Sequence, residues 1–147
     1  MALSIKPYIE NKERIHLIGI GGVSMNSLGE LLLSRGVPIS GSDRLRTDVT
    51  ARLEALGAKI TYEHKPENVE GASLIVRTAA VHDDNPEIVR AHELGIPVME
   101  RAEAWGHLMR DYDNVVCLAG THGKTTSTSM MTLMTMEAQM DPTVMVG

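Results

Sequence analysis

Twice in this chain an apolar run breaks into glycines and then into a helix-like segment, and that order of elements admits few folds. The more informative instance is Gly120-Thr121-His122-Gly123-Lys124-Thr125-Thr126. It follows the apolar run 115–119 and precedes a helical pattern over 127–140. Strand, glycine turn, lysine and hydroxyls, then helix is the layout of a phosphate-binding loop. Successive backbone N–H groups and a helix N-terminus attract an anion, and the lysine adds a mobile positive charge. A hydroxyl directly after the lysine can ligate the magnesium that accompanies a nucleotide triphosphate. The general pattern opens with a glycine where this chain has Leu118, so the loop is a shorter G-T-x-G-K-T-T variety. An ordinary glycine turn whose lysine faces water is the alternative, and the strand-like and helix-like flanks speak against it.

The second instance is Ile15-His16-Leu17-Ile18-Gly19-Ile20-Gly21-Gly22-Val23-Ser24-Met25. It reads as a buried strand running into a tight turn, followed over 24–35 by apolar residues at Met25, Leu28, Leu31 and Leu32, the spacing of a helix with one buried face. The dinucleotide fingerprint G-x-G-x-x-G matches at Gly19 and Gly21, with Ser24 in place of its third glycine. A second apolar stretch, 37–39, leads to Ser40-Gly41-Ser42-Asp43, which puts an acid where a ribose could meet it. The pattern suits NAD and a UDP-sugar equally. It also suits a glycine turn needed only for close helix–sheet packing.

Strand-like and helix-like segments alternate between the two turns. Helices are predicted around 47–56, stopped by Gly57, from Asn85-Pro86 to Gly95, and over 101–110. Strands are predicted at 58–62, 74–76 and 96–99, with a loop or single helical turn near 64–69. Asp111-Tyr112-Asp113-Asn114 is a polar break. Before it lies a complete alternating set, predicted to form a parallel sheet with helices on both faces. After it come one strand, one loop, one helix and the beginning of another strand at 144–146. That is too little for a nucleotide-binding domain, so the chain reads as the front portion of a longer one, with domains at 1–111 and 112–147.

At this point the two turns together resemble the Mur ligase family, the ATP-dependent amide-forming enzymes of peptidoglycan synthesis. The resemblance rests on the segments 16–25 and 119–126, on Gly41-Ser42-Asp43, on Asp84-Asn85-Pro86-Glu87 and on Arg101-Ala102-Glu103, and it spans about 15–147. Within the family, the G-I-G-G-x-x-M turn points to the alanine-adding member; a ligase that recycles murein tripeptide shares much of the pattern. The resemblance implies a Rossmann-like domain for the UDP moiety, followed by the first strand, phosphate loop and helix of a truncated ATPase domain. It implies ATP and Mg²⁺, with UDP-N-acetylmuramate and L-alanine as partners. ATP would phosphorylate the carboxylate of the UDP-muramyl substrate, and the amino group would then displace phosphate. Gly19, Gly21, Gly22, Val23, Ser24 and Met25 would cradle the UDP pyrophosphate. Asp43 would contact the uridine end, and Thr78, Ala79 and Ala80 would line the same crevice. Gly120, Thr121, His122, Gly123, Lys124, Thr125 and Thr126 would bind ATP. Lys124 would stabilise charge on the moving phosphoryl group, and Thr125, with Thr126 beside it, would ligate Mg²⁺. The family's remaining magnesium ligands, base pocket and closing domain lie downstream of such a loop. The 147 residues are therefore expected to bind the UDP moiety without catalysing ligation.

Composition narrows the alternatives. The net charge is −5, from 14 Lys+Arg against 19 Asp+Glu, which argues against a nucleic-acid binder. No apolar run is long enough to span a membrane and no signal peptide is evident, so a cytoplasmic protein with no membrane partner is expected. The one cysteine, Cys117, lies in a predicted strand and reads as a buried small hydrophobe. His64, His82, His92 and His107 have no metal-ligand spacing. Asp83 and Asp84 read as helix-start charges, and Trp105 as a packing residue. The helix carrying Met130, Met131, Met134, Met136 and Met140 would expose apolar surface without neighbours, favouring self-association or a disordered tail after Asn114. Two other readings stand beside the ligase. An NAD-dependent oxidoreductase domain would explain Gly19, Gly21 and Asp43 but not the second loop. A non-enzymatic nucleotide-binding module would leave Lys124, Thr125 and Thr126 without a task.

Overall fold

The computed structural model of the protein describes residues 3–146. They divide into two compact units, one ending at Asp111 and the other beginning at Tyr112. Residues 1, 2 and 147 of the expected domain ranges lie outside the described residues.

Five parallel strands form the first unit: β1 (Ile15–Ile18), β2 (Ile39–Ser42), β3 (Lys59–Thr61), β4 (Leu74–Arg77) and β5 (Val98–Glu100). Their order is β3-β2-β1-β4-β5. The central strand β1 sets the register, with Ile15 opposite Ile39 on one side and Leu74 on the other. Helices α1 (Lys6–Glu10), α2 (Val23–Ser34), α3 (Asp48–Ala55), α4 (Pro86–Glu93) and α5 (Arg101–Met109) and a 3-10 turn (Pro66–Val69) complete it. This is the Rossmann-like α/β arrangement expected from the sequence.

Period-two alternation sorts the strand side chains into two cores. Ile15, Leu17, Ile39, Leu74, Val76 and Met99 enter one, together with Met25, Leu28 and Leu32 of α2, Leu53 of α3, and Ala104 and Leu108 of α5. Ile18 and Ile75 belong to a smaller one with Val69, Ala72, and Ile88 and Ala91 of α4. Both faces are therefore covered, which is why every residue of β1 and the first three of β4 are buried. Burying each such Leu or Ile contributes roughly 1.5–3 kcal/mol.

Local chemistry fixes the helix starts. Thr47 and Thr50 exchange side-chain and backbone hydrogen bonds in a capping box ahead of α3. Asn85 accepts the N–H of Glu87 at 2.9 Å at the head of α4, with Pro86 in the first turn. Asp83 instead pairs with Arg77. Helix α1 carries no apolar period in its five residues, and the sequence reading missed it.

The second unit contains one regular element, α6 (Lys124–Glu137). It begins three residues before the predicted start and ends three before the predicted end. Its side chains are not buried; Met130, Leu133, Met134 and Met136 are all more than half exposed. Two expectations are corrected here. The segments 115–119 and 144–146 are not strands, because a strand exists only against a partner and all the described sheet pairing lies in the first unit. Cys117 is consequently exposed rather than buried. Among the described residues, no helix is long and apolar enough to cross a membrane.

Two glycines make opposite stability predictions. A Cβ on Gly41 in β2 would lie 2.6 Å from Ile20 Cδ1 and 2.8 Å from the carbonyl of Leu17, whereas one on Gly106 in α5 would meet nothing within 4 Å. In urea denaturation, Gly41→Ala should lose about 1–3 kcal/mol, and Gly106→Ala should gain about 0.5–1 kcal/mol.

Candidate functional site

The strand order reverses at β1: β2 and β3 lie on one side, β4 and β5 on the other. In parallel sheets of this kind, the crevice beyond the carboxyl ends at that reversal receives the ligand. Three segments meet there. The turn 19–22 leaves β1, Asp43 leaves β2, and Thr78 leaves β4. A Cβ on Gly19 would stand 3.0 Å from Thr78 Cγ2, so the first and third segments are in contact. Gly21 N–H donates to Asp43 Oδ2 at 2.8 Å, which joins the first and second.

The predicted site residues fall into distinct roles. Gly22 is the N-cap of α2 without a side-chain cap, and Val23, Ser24 and Met25 form the first turn of that helix. Met25 is wholly buried, so its side chain serves the core and only its backbone can face a ligand. The Trp105 indole N–H donates to the carbonyl of Ser24 at 3.2 Å, linking α5 to this turn. Thr78 is half-buried, while Ala79 and Ala80 are exposed. Arg77 steadies their loop: its guanidinium donates to the carbonyl of Val81 at 3.3 Å, pairs with Asp83, and lies 3.8 Å from Glu100.

Beneath β1 and β2 lies a polar cluster that the sequence reading did not identify. Glu87 in α4 is fully buried. Its Oε1 accepts from His16 Nε2 at 3.2 Å and Asn68 Nδ2 at 2.8 Å. Its Oε2 accepts from the Ser42 hydroxyl at 2.7 Å and His64 Nδ1 at 2.6 Å. His16 Nδ1 lies 2.9 Å from Ser40 Oγ, so both ring nitrogens are held. Burial alone would push the carboxyl up. The hydrogen bonds from His16, His64, Asn68 and Ser42 outweigh burial and hold it down at about 2. One sequence signal was available: a histidine and two serines interrupt strands whose other residues are apolar or glycine.

In the second unit, Gly123 adopts a left-handed backbone as the N-cap of α6, and no side chain caps that helix. Lys124 folds back so that Nζ donates to the carbonyl of Gly120 at 2.6 Å. Gly120, Thr121, His122, Thr125 and Thr126 are exposed around this bend. A bend of glycines ending in an uncapped fourteen-residue helix, with an ammonium arched over it, suits a polyphosphate. Among the described residues, no group of three or more His, Cys, Asp or Glu side chains could hold a metal ion.

The fold is a doubly wound α/β domain with a crevice at its strand-order reversal, joined in sequence to a glycine-rich bend that heads α6. A sequence profile described as "Mur ligase family, catalytic domain" matches residues 14–113, and the chain belongs to the Mur ligase family. It is 46% identical over 138 residues to the UDP-N-acetylmuramate–L-alanine ligase of Clostridium novyi, covering 94% of this chain and 30% of that one. It is 49% identical to the protein of the same name from Clostridium botulinum strain Okra, covering 95% and 31%. The crystal structure of UDP-N-acetylmuramate–alanine ligase from Thermotoga maritima superposes with a TM-score of 0.86 at 36% identity, covering 92% and 32%. A murein peptide ligase from Psychrobacter arcticus gives 0.81 at 26% identity, covering 86% and 27%. The chain thus spans about three tenths of the length of the curated relatives it matches.

The Glu87 cluster makes a pH prediction. A carboxyl held at about 2 in the folded chain, against its ordinary 4.5, contributes stability in full above 4.5 and loses it as pH falls toward 2. Glu87→Gln should cost about 3 kcal/mol at pH 7. Stepped-pH urea denaturation should show its deficit against the parent chain shrinking below about pH 4.5. A deficit constant down to pH 2 would contradict the ionised buried carboxylate.

Proposed function

We propose that this chain supplies the UDP-sugar-binding part and the phosphate loop of an ATP-dependent ligase that joins L-alanine to UDP-N-acetylmuramate. The observation carrying this reading is the conjunction of two glycine turns in one chain: one at the strand-order reversal of a parallel sheet, and one ending in Lys124 at the head of α6. The names of the 46–49% identical relatives support the substrate pair.

In this reading the crevice takes the UDP moiety. The diphosphate lies against the first turn of α2, where the intrahelical ladder leaves N–H groups over, and Thr78, Ala79 and Ala80 form the opposite wall. Lys124 carries the catalytic role by placing positive charge beside the transferred phosphoryl group. Gly120 to Gly123 shape the loop, Thr125 with Thr126 offers hydroxyl oxygens to Mg²⁺, and His122 faces the carboxylate side. Mg²⁺, when bound with ATP, would neutralise charge on the phosphates. The carboxylate of the muramyl group would take the γ-phosphoryl group of ATP as ADP leaves, and the alanine amino group would then displace phosphate from the acyl phosphate, forming the amide. The 147 residues perform the first of these tasks, binding, and do not turn over alone.

Calorimetric titration of the chain tests this. UDP-N-acetylmuramate should bind saturably, NAD should give no heat of binding, and adding ATP, Mg²⁺ and L-alanine should release no phosphate. NAD binding without UDP-sugar binding would replace the ligase reading with the oxidoreductase one.

A further inference from the structure

All four N–H groups that follow β1 are engaged within the protein. Those of Gly19 and Ile20 donate to the carbonyl of Ser42 at 2.8 and 3.1 Å, and that of Gly22 donates to Gly19 at 3.1 Å. Gly21 N–H donates to Asp43 Oδ2 at 2.8 Å. The other carboxylate oxygen, Oδ1, accepts from the N–H of Arg44 at 2.7 Å and of Leu45 at 3.3 Å. Space is equally committed. A Cβ on Gly21 would lie 2.9 Å from Asp43 Oδ2 and 3.2 Å from Thr50 Cγ2. Thr50 is fixed in turn by the capping box with Thr47 and by the Tyr62 hydroxyl at 3.1 Å. The second glycine is therefore required by the chain's own acid and its own helix, before any ligand approaches.

We propose that Asp43 is a positioning residue of the nucleotide site. Its carboxylate clamps the β1–α2 turn through the Gly21 amide and so aims the first turn of α2 at a diphosphate; it does not itself hold the sugar or base. The inference rests on reading this crevice as a UDP-sugar site. Each carboxylate oxygen already carries a backbone N–H, Gly21 on Oδ2 and Arg44 with Leu45 on Oδ1, and the negative charge sets the group against direct contact with phosphate. Gly22 is the N-cap of α2, so the helix's first turn begins at Val23, directly beyond the clamp. Releasing the clamp frees the turn, and binding must then supply the cost of ordering it.

The test uses the whole chain with Asp43→Asn and Asp43→Ser, so that a folding failure in one leaves the other. Asparagine can keep its oxygen toward Arg44 and Leu45 but presents N–H donors to Gly21. The probes are UDP, 2′,3′-dideoxy-UDP, which lacks the diol, and ribose 5-diphosphate, which lacks the base. UDP affinity should fall about tenfold, with the same factor for both trimmed ligands. Amide hydrogen exchange at Gly21, measured without ligand, should accelerate in both variants. A loss that vanishes with either trimmed ligand would make Asp43 a direct contact and overturn the proposal, as would unchanged exchange at Gly21. If the parent chain ignores UDP, the crevice reading fails, while exchange at Gly21 still decides the clamp.

Discussion

The first unit is organised around an ionised carboxylate sealed beneath its sheet. Removing Glu87 from water is costly, and four donors offset that cost only when four separate segments arrive together: β1 with His16, β2 with Ser42, the stretch 64–68 with His64 and Asn68, and α4 with Glu87 itself. A one-residue slip of β1 against β2 would turn His16 away from both Ser40 and the acid. An apolar core tolerates approximate filling; a buried carboxylate with two oxygens to satisfy does not. The cluster therefore acts as a check on strand register. It also lies directly under the crevice, because Ser42 is both a donor to Glu87 and, through its carbonyl, the acceptor that folds the turn after β1.

Much of this architecture was legible in the residues. The apolar run 74–76 gave β4, and a run broken only by His16 and ended by Gly19 gave β1, because strands buried on both faces need no polar alternation. Caps gave the starts of α3 and α4, since Thr47 and Asn85 each satisfy an orphaned N–H locally. What escaped was chemistry that exists only across long sequence distances. Glu87 reads as an ordinary first-turn acid until the fold brings His16 and His64 to it from 71 and 23 residues away. The bond from the Gly21 amide to Asp43 likewise joins residues 22 apart. The apolar run at 115–119 misled for the converse reason: its composition suits a strand, but strand formation is a property of pairs.

The two glycine turns, alike on paper, have different physical support. The first is pressed from several directions, by Thr78, Asp43, Thr50 and the indole of Trp105, so its shape is imposed before a ligand arrives. The second carries local bonds: Lys124 to Gly120, and the early turns of α6, in which Thr128 and Thr132 return hydrogen bonds to carbonyls one turn back. Preorganisation reduces the ordering cost of binding where it exists, and here it favours the turn after β1 over the one before α6.

Trp105 gives the first turn a property unrelated to binding strength. It is the chain's one tryptophan, half-buried, with its indole N–H on the carbonyl of Ser24. Indole emission depends on the polarity and hydrogen bonding at that nitrogen, so the chain's tryptophan emission originates at the head of α2. The chain thus carries its own optical probe at that turn, and no label is needed to read it.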